Sequence, residues 1–139
     1  MIQFHYQTEF DIPEAKKYTE WIIRVAQAYN SVIDEISFIF VTDQALLELN
    51  KEYLSHNYYT DIITFPYQEN DNLMADIFIS VDRVRENADG LGKSFEEELK
   101  RVMIHGLLHL LGFGDKTPDE EIIMRQREDD ALKMFHVEQ

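Results

Sequence analysis

Two histidines four positions apart, His105 and His109, stand in the run HGLLHLLGFGD, followed by a glycine at 112 and a carboxylate at Asp115. At about 100° and 1.5 Å per residue, a helix presents both imidazoles on one face roughly 6 Å apart along its axis, close enough to share one ion. Gly112 can take the left-handed conformation that ends a helix and turns the chain back, which offers Asp115 as a third ligand. Imidazole nitrogens with a carboxylate suit zinc, and three protein ligands leave a fourth position for water or substrate, the arrangement of a catalytic site. One Zn²⁺ ion is therefore expected at His105, His109 and Asp115. The plainer reading is an apolar helix that happens to carry two histidines. Met103, Ile104, Leu107, Leu108, Leu110 and Leu111 do make this helix apolar almost all round. An imidazole buried there without a partner costs on the order of 1–3 kcal/mol, and metal ligation removes that cost.

The spacing matches the longer ligand motif of zinc metallopeptidases, HxxxHxxGxxH/D, in which a Glu follows the first His and acts as general base. Here Gly106 holds that position. Glycine accepts no proton, so peptide hydrolysis loses the residue it depends on. What remains is metal chemistry on a phosphoryl or carbonyl oxygen, with bound water made acidic near neutrality. A metallopeptidase-like hydrolase is kept as a rival reading.

The remaining elements must carry this helix. Ile2, Phe4 and Tyr6 alternate with polar residues, as a first strand does. Pro13 is expected to open a helix at its favoured first position, with Tyr18, Trp21, Ile22, Val25 and Tyr29 along one apolar face. Residues 35–42, EISFIFVT, are apolar and β-branched on both faces, which marks a buried strand. Thr42 or Asp43 caps a helix through Leu46, Leu47 and Leu49 to Tyr53. A polar loop around His56 and Asn57 then leads to the strand DIITFPY, stopped at Pro66, and a second loop leads to MADIFISV. A short helix over 81–89 ends at the glycines 90 and 92. Ser94 with Glu97, and Thr117 with Glu120, form capping boxes that start the metal-site helix and a last helix carrying Ile122, Ile123, Ala131, Leu132 and Phe135. The order β-α-β-α-β-β-α-α-α predicts an α+β fold, a small four-stranded mixed sheet packed with about five helices, and an antiparallel third and fourth strand.

The 139 residues, 45% of them hydrophobic, suffice for one core, so a single domain over 1–139 is expected. There is no cysteine, which leaves His and carboxylate as the available ligands. The first residues show neither a basic stretch nor a long apolar run, so no membrane segment or signal peptide is expected, and a soluble cytoplasmic protein is the natural reading; the sequence leaves the oligomeric state open, with a monomer the default expectation. A net charge of −14 opposes nucleic-acid binding driven by phosphate neutralisation. Most basic residues lie from Arg83 onward, including Lys100, Arg101 and Lys116 near the motif, but acidic residues outnumber them there.

Three motifs in order carry a resemblance that extends over most of the chain. HGLLHLLGFGD from His105, LNKEYLSHNYYTDIITFP over 49–66, and ADIFIS over 75–80 resemble HGxLHLxGYDH, LNxxYR…PTDVLSFP and GDIxIS of the YbeY family of bacterial ribosomal RNA maturation factors. The resemblance implies a zincin-like fold and a zinc-dependent endoribonuclease specific for single strands. It implies action in ribosomal RNA processing, including 3′-end maturation of small-subunit RNA, and in ribosome quality control. Single-stranded ribosomal RNA and the small ribosomal subunit are the partners it implies. His105 and His109 fall on the first two ligand positions, and Asp115 on the third, where most of the family has His. Carboxylate can replace imidazole on zinc but adds negative charge. The Arg of LNxxYR is Leu54 here, which cannot clamp a phosphate; His56 or Lys116 could stand in for it. Asp76 and Thr60 lie in matched motifs, Asp76 as a weaker catalytic candidate or as a carboxylate that fixes a loop. His5 and His136 fall outside every motif and read as surface or edge residues. The missing Arg and the acidic charge also admit a ribosome assembly factor that holds a structural metal and cuts nothing.

Overall fold

Alternation of side chains along the strands decides which face of the sheet each helix covers. The computed structural model describes residues 1–67 and 71–135. Its elements run β1 (Ile2–Tyr6), α1 (Ala15–Ala28), β2 (Ile33–Val41), α2 (Asp43–Leu54), β3 (Ile62–Pro66), β4 (Leu73–Ser80), α3 (Val81–Leu91), α4 (Phe95–Leu110) and α5 (Pro118–Met134). The strands form one sheet in the order β1-β2-β4-β3. β1 and β4 each lie parallel to β2, while β3 runs antiparallel to β4, so the expected mixed sheet and its antiparallel pair are both present. A short connection allows the antiparallel pair, whereas the parallel pair β1·β2 needs a crossover, which α1 supplies.

The two faces are unequal. Ile36, Phe38 and Phe40 of β2 and Ala75, Ile77 and Ile79 of β4 join the larger cluster with Trp21 of α1 and Met103 and Leu107 of α4. Ile39, Val41 and Ile63 form a smaller cluster with Leu46 of α2 on the other face. β2 is buried continuously over 36–41, as an apolar run in a covered strand requires. α4 lies on the larger face with Leu99, Met103, Ile104, Leu107 and Leu108 fully buried, and α5 is tied to α1 by the Trp21 Nε1–H donated to the Ala131 carbonyl at 2.7 Å.

Local sequence sets most helix ends. The Thr42 side chain accepts from the Ala45 N–H, and both Ser94 with Glu97 and Thr117 with Glu120 form reciprocal capping boxes. Three boundaries or faces differ from expectation. α1 begins at Ala15 because Glu14 is left-handed at φ 55°, which leaves Pro13 in the turn before the helix. α3 passes through Gly90 and stops at Gly92, φ 66°; one helical glycine costs about 1 kcal/mol and need not end a helix. On α5, Ile122 and Ile123 are exposed, and the buried line is Met124, Glu128 and Ala131, because the ion pairs of Glu128 with α4 fix the rotation of the helix.

Tyr18 packs edge-on against Trp21 and Phe135 in the α1–α5 contact. Burial, reinforced by Glu96 and Glu14, pushes its phenol from 10.0 up to about 12. The folded state thus favours the neutral ring, a contribution that is complete below pH 10 and lost as pH rises toward about 12. Denaturant titrations across that window should show the unmodified protein losing on the order of 2 kcal/mol relative to Tyr18→Phe. Parallel curves for the two proteins would contradict this account.

Candidate metal centre

The C-terminal end of α4 makes the site. Gly112, φ 102°, donates its N–H to the His109 carbonyl, and Phe113 donates to the Leu108 carbonyl, each at 3.0 Å, the paired bonds of a Schellman cap. Phe113 then packs edge-on against Tyr29, which holds the reversed chain down. Asp115 is thereby returned over the face of α4 that carries His105 and His109. The His105 and His109 Nε2 atoms lie 2.9 Å apart, and Asp115 Oδ2 lies 3.2 and 3.4 Å from them.

These three atoms meet the requirement for an ion. A tetrahedral zinc site with bonds of about 2.0–2.1 Å has ligand-to-ligand edges of about 3.3 Å, close to the spacings present. Two imidazole nitrogens and a carboxylate oxygen converging on one point are a donor set suited to a divalent cation. Among the described residues, this is the group of His and carboxylate side chains able to hold a metal.

A residue far along the chain prepares the first ligand. Glu128 Oε2 accepts from His105 Nδ1 at 2.7 Å, so in the neutral ring the proton sits on Nδ1 and Nε2 keeps its lone pair for an ion. Glu128 is itself nearly buried and takes a second bond from Arg101 Nη1 at 2.7 Å, while Arg101 Nη2 bonds Asp129 at 2.7 Å. Burial acts to lower the His105 pKa, but the Glu128 bond and charge, with Asp115 and Asp61 behind them, outweigh it and raise it. Burial acts to raise the Glu128 pKa, and the bonds from His105 and Arg101 reverse that and lower it. Sequence reasoning missed Glu128 and Arg101. The available signal was a carboxylate four residues after Met124 and three before Ala131, on the buried stripe of α5.

The three candidate ligands open onto a cleft of about 820 Å³ that also reaches His56, Tyr58, Thr60 and Lys116. Asp61, a third residue missed from sequence, lines the same cleft, and burial pushes its carboxyl upward while His105 opposes the rise. Leu54 lies exposed in the cleft wall. Asp76 is elsewhere: it alternates with Ala75 and Ile77, which face α4, and it accepts a bond from the Tyr67 hydroxyl at 2.5 Å. The Thr60 hydroxyl donates to the Ile62 carbonyl at 3.4 Å. His5 is an exposed residue of β1 beside Gln3, and His136 lies outside the described residues.

A family model described as Endoribonuclease YbeY matches residues 2–136. The chain belongs to the YbeY endoribonuclease family. A YbeY protein of Flavobacterium psychrophilum is 49% identical over 139 residues, covering 100% of this chain and 99% of that one. Another, from Bacteroides thetaiotaomicron, is 50% identical over 132 residues, covering 93% of this chain and 96% of its own. The solution structure of a Thermotoga maritima protein superposes with a TM-score of 0.69 at 27% identity, over 97% of this chain and 89% of that one.

Within the YbeY frame, Gly106 has a structural explanation. A Cβ built there meets Ile62 Cδ1 at 2.9 Å and Ile77 side-chain atoms at 3.4 Å, so this position of α4 faces the sheet. A peptidase-type Glu at 106 would have to displace the end of Ile62 and enter the apolar contact between α4 and the sheet. Gly106→Glu should therefore destabilise the fold by roughly 3 kcal/mol or more, through a carboxylate forced among isoleucines, and should confer no peptide cleavage. Thermal melts and a peptide-cleavage assay check both parts. Glu128→Gln removes the charge behind His105 and should weaken zinc binding about 10- to 100-fold in a chelator competition, with the fold retained. Unchanged affinity would deny Glu128 its orienting role.

Proposed function

We propose that this protein is a zinc-dependent endoribonuclease that cuts single-stranded ribosomal RNA in the cytoplasm, with the maturing small ribosomal subunit as the source of its substrate. The observation that carries the reading is the convergence of His105 Nε2, His109 Nε2 and Asp115 Oδ2 at the floor of an open cleft, in a chain of the YbeY family. Zinc bound there would polarise a phosphodiester oxygen and make its water acidic near neutrality. The chain's own residues do the rest. Glu128 keeps the His105 proton on Nδ1, and Arg101 keeps Glu128 ionised and in place. Asp61 presents a carboxyl in the cleft wall, where burial raises its pKa above the usual carboxylate range. Ile62 and Ile77 close the sheet side of α4 around Gly106, which leaves the cleft as the approach to the ligands.

No helix among the described residues is long and apolar enough to cross a membrane, in keeping with a substrate in solution. The assembly-factor reading draws support from Leu54 in the cleft wall, where a phosphate clamp is absent. The deciding assay gives a single-stranded ribosomal RNA fragment to zinc-loaded protein and to a folded His109→Ala variant purified identically. Loss of one ligand should reduce cutting by at least about a hundredfold, since the ion contributes several kcal/mol to the transition state. Equal cutting would trace the activity to a contaminant, and no cutting by zinc-loaded protein would leave the assembly factor. Cyclic phosphate ends would identify attack by the RNA 2′-hydroxyl.

A further inference from the structure

The cleft in front of the metal centre has little with which to grip a polyanion. Among the described residues that line it, Lys116 is the one lysine or arginine, against Asp61, Asp71 and Asp115. The whole chain carries −14. A strand held through its phosphates needs several cations, and this surface does not present them.

What it presents is rings. Tyr58 and Tyr67 both line the cleft and are 56% and 47% exposed. Their polar ends are already engaged: the Tyr58 hydroxyl is 2.9 Å from His56 Nδ1, and the Tyr67 hydroxyl donates to Asp76 at 2.5 Å. A ligand therefore meets ring faces rather than hydroxyls. The His56 and Tyr58 rings stack on each other, 5.0 Å between centroids and 21° from parallel. Their loop is fixed from below by Asn50, which is 1% exposed, donates its side-chain N–H to the Tyr58 carbonyl at 2.9 Å and accepts the His56 N–H on its own carbonyl at 3.0 Å. The aromatic pair is thus in place before any ligand arrives.

We propose that Tyr58, stacked on His56, and Tyr67 form a platform on which unpaired bases of the substrate strand stack along the cleft, so that binding rests on base faces instead of phosphate charge. The proposal deepens the ribonuclease reading above and rests on it for the identity of the strand. Every base has a π-face, so such a platform tolerates sequence; duplex bases are already stacked on each other, so it selects single strands.

The test is a fluorescence-anisotropy titration of zinc-loaded, full-length protein with two labelled deoxyribose strands of equal length and charge, one bearing bases and one abasic. The base-bearing strand should bind at least about tenfold more tightly, and Tyr58→Ala or Tyr67→Ala should weaken its binding about 5- to 150-fold. Tyr58→Phe and Tyr67→Phe, which keep the ring, should stay within about threefold of the unmodified protein. With about one phosphate contact, affinity should fall less than about threefold between about 50 and 200 mM salt. Equal affinity for the two strands, or a steep salt dependence abolished by Lys116→Ala, overturns the proposal. The comparison of strands is made on unmodified protein, so it decides even where an Ala variant melts early. Failure of RNA cutting counts against the ribonuclease reading alone, because this titration measures binding with no cut required.

Discussion

The docking of α5 against α4 through one buried carboxylate is the constraint on which the site depends. Glu128 stands between the Arg101 guanidinium and the His105 imidazole, with a 2.7 Å bond to each. A carboxylate taken out of water costs several kcal/mol unless paired, and here both oxygens are satisfied by charged or chargeable donors. The same pairing turns α5 so that Ile122 and Ile123 face outward, a rotation that hydrophobicity alone does not select. Core packing and metal-site preparation are therefore one arrangement. Loss of the pairing would disturb the helix contact and the ligand tautomer together.

A second constraint acts from the other side of α4. Gly106 lets this helix lie close enough to the sheet for Ile62 and Ile77 to occupy the space a side chain would need. His105 and His109 are then turned away from the sheet, toward the cleft and Asp115. The glycine that removes a peptidase base is thus also the residue that seats the helix.

Much of this was legible in sequence, for physical reasons that differ from element to element. The strands over 33–41 and 73–80 and the helix over 95–110 carry strong, regular patterns, and the Ser94 and Thr117 capping boxes are local chemistry that tertiary structure has no cause to override. That His105, His109 and Asp115 come together was readable because they lie with Gly112 within one helix end, where spacing alone fixes geometry. Glu128, Arg101 and Asp61 were not readable as site residues. Glu128 reaches His105 from 23 residues away, and only the packing of two helices brings them together. The left-handed Glu14 that delays α1 is equally invisible, since no sequence rule places a Glu there. Asp76, a weaker candidate from its motif, does not itself line the cleft but accepts the hydroxyl of Tyr67, which does.

The Schellman cap at Gly112 divides the ligands into two kinds. His105 and His109 belong to a helix buried in the core, whereas Asp115 stands in the short segment between that helix and the Thr117 cap of the next. Two candidate ligands are thus mounted on a helix of the core and one on the segment that links it to α5. The geometry of the group therefore depends on the cap as much as on the helix, because the Gly112 and Phe113 bonds set where Asp115 lies against the two imidazoles.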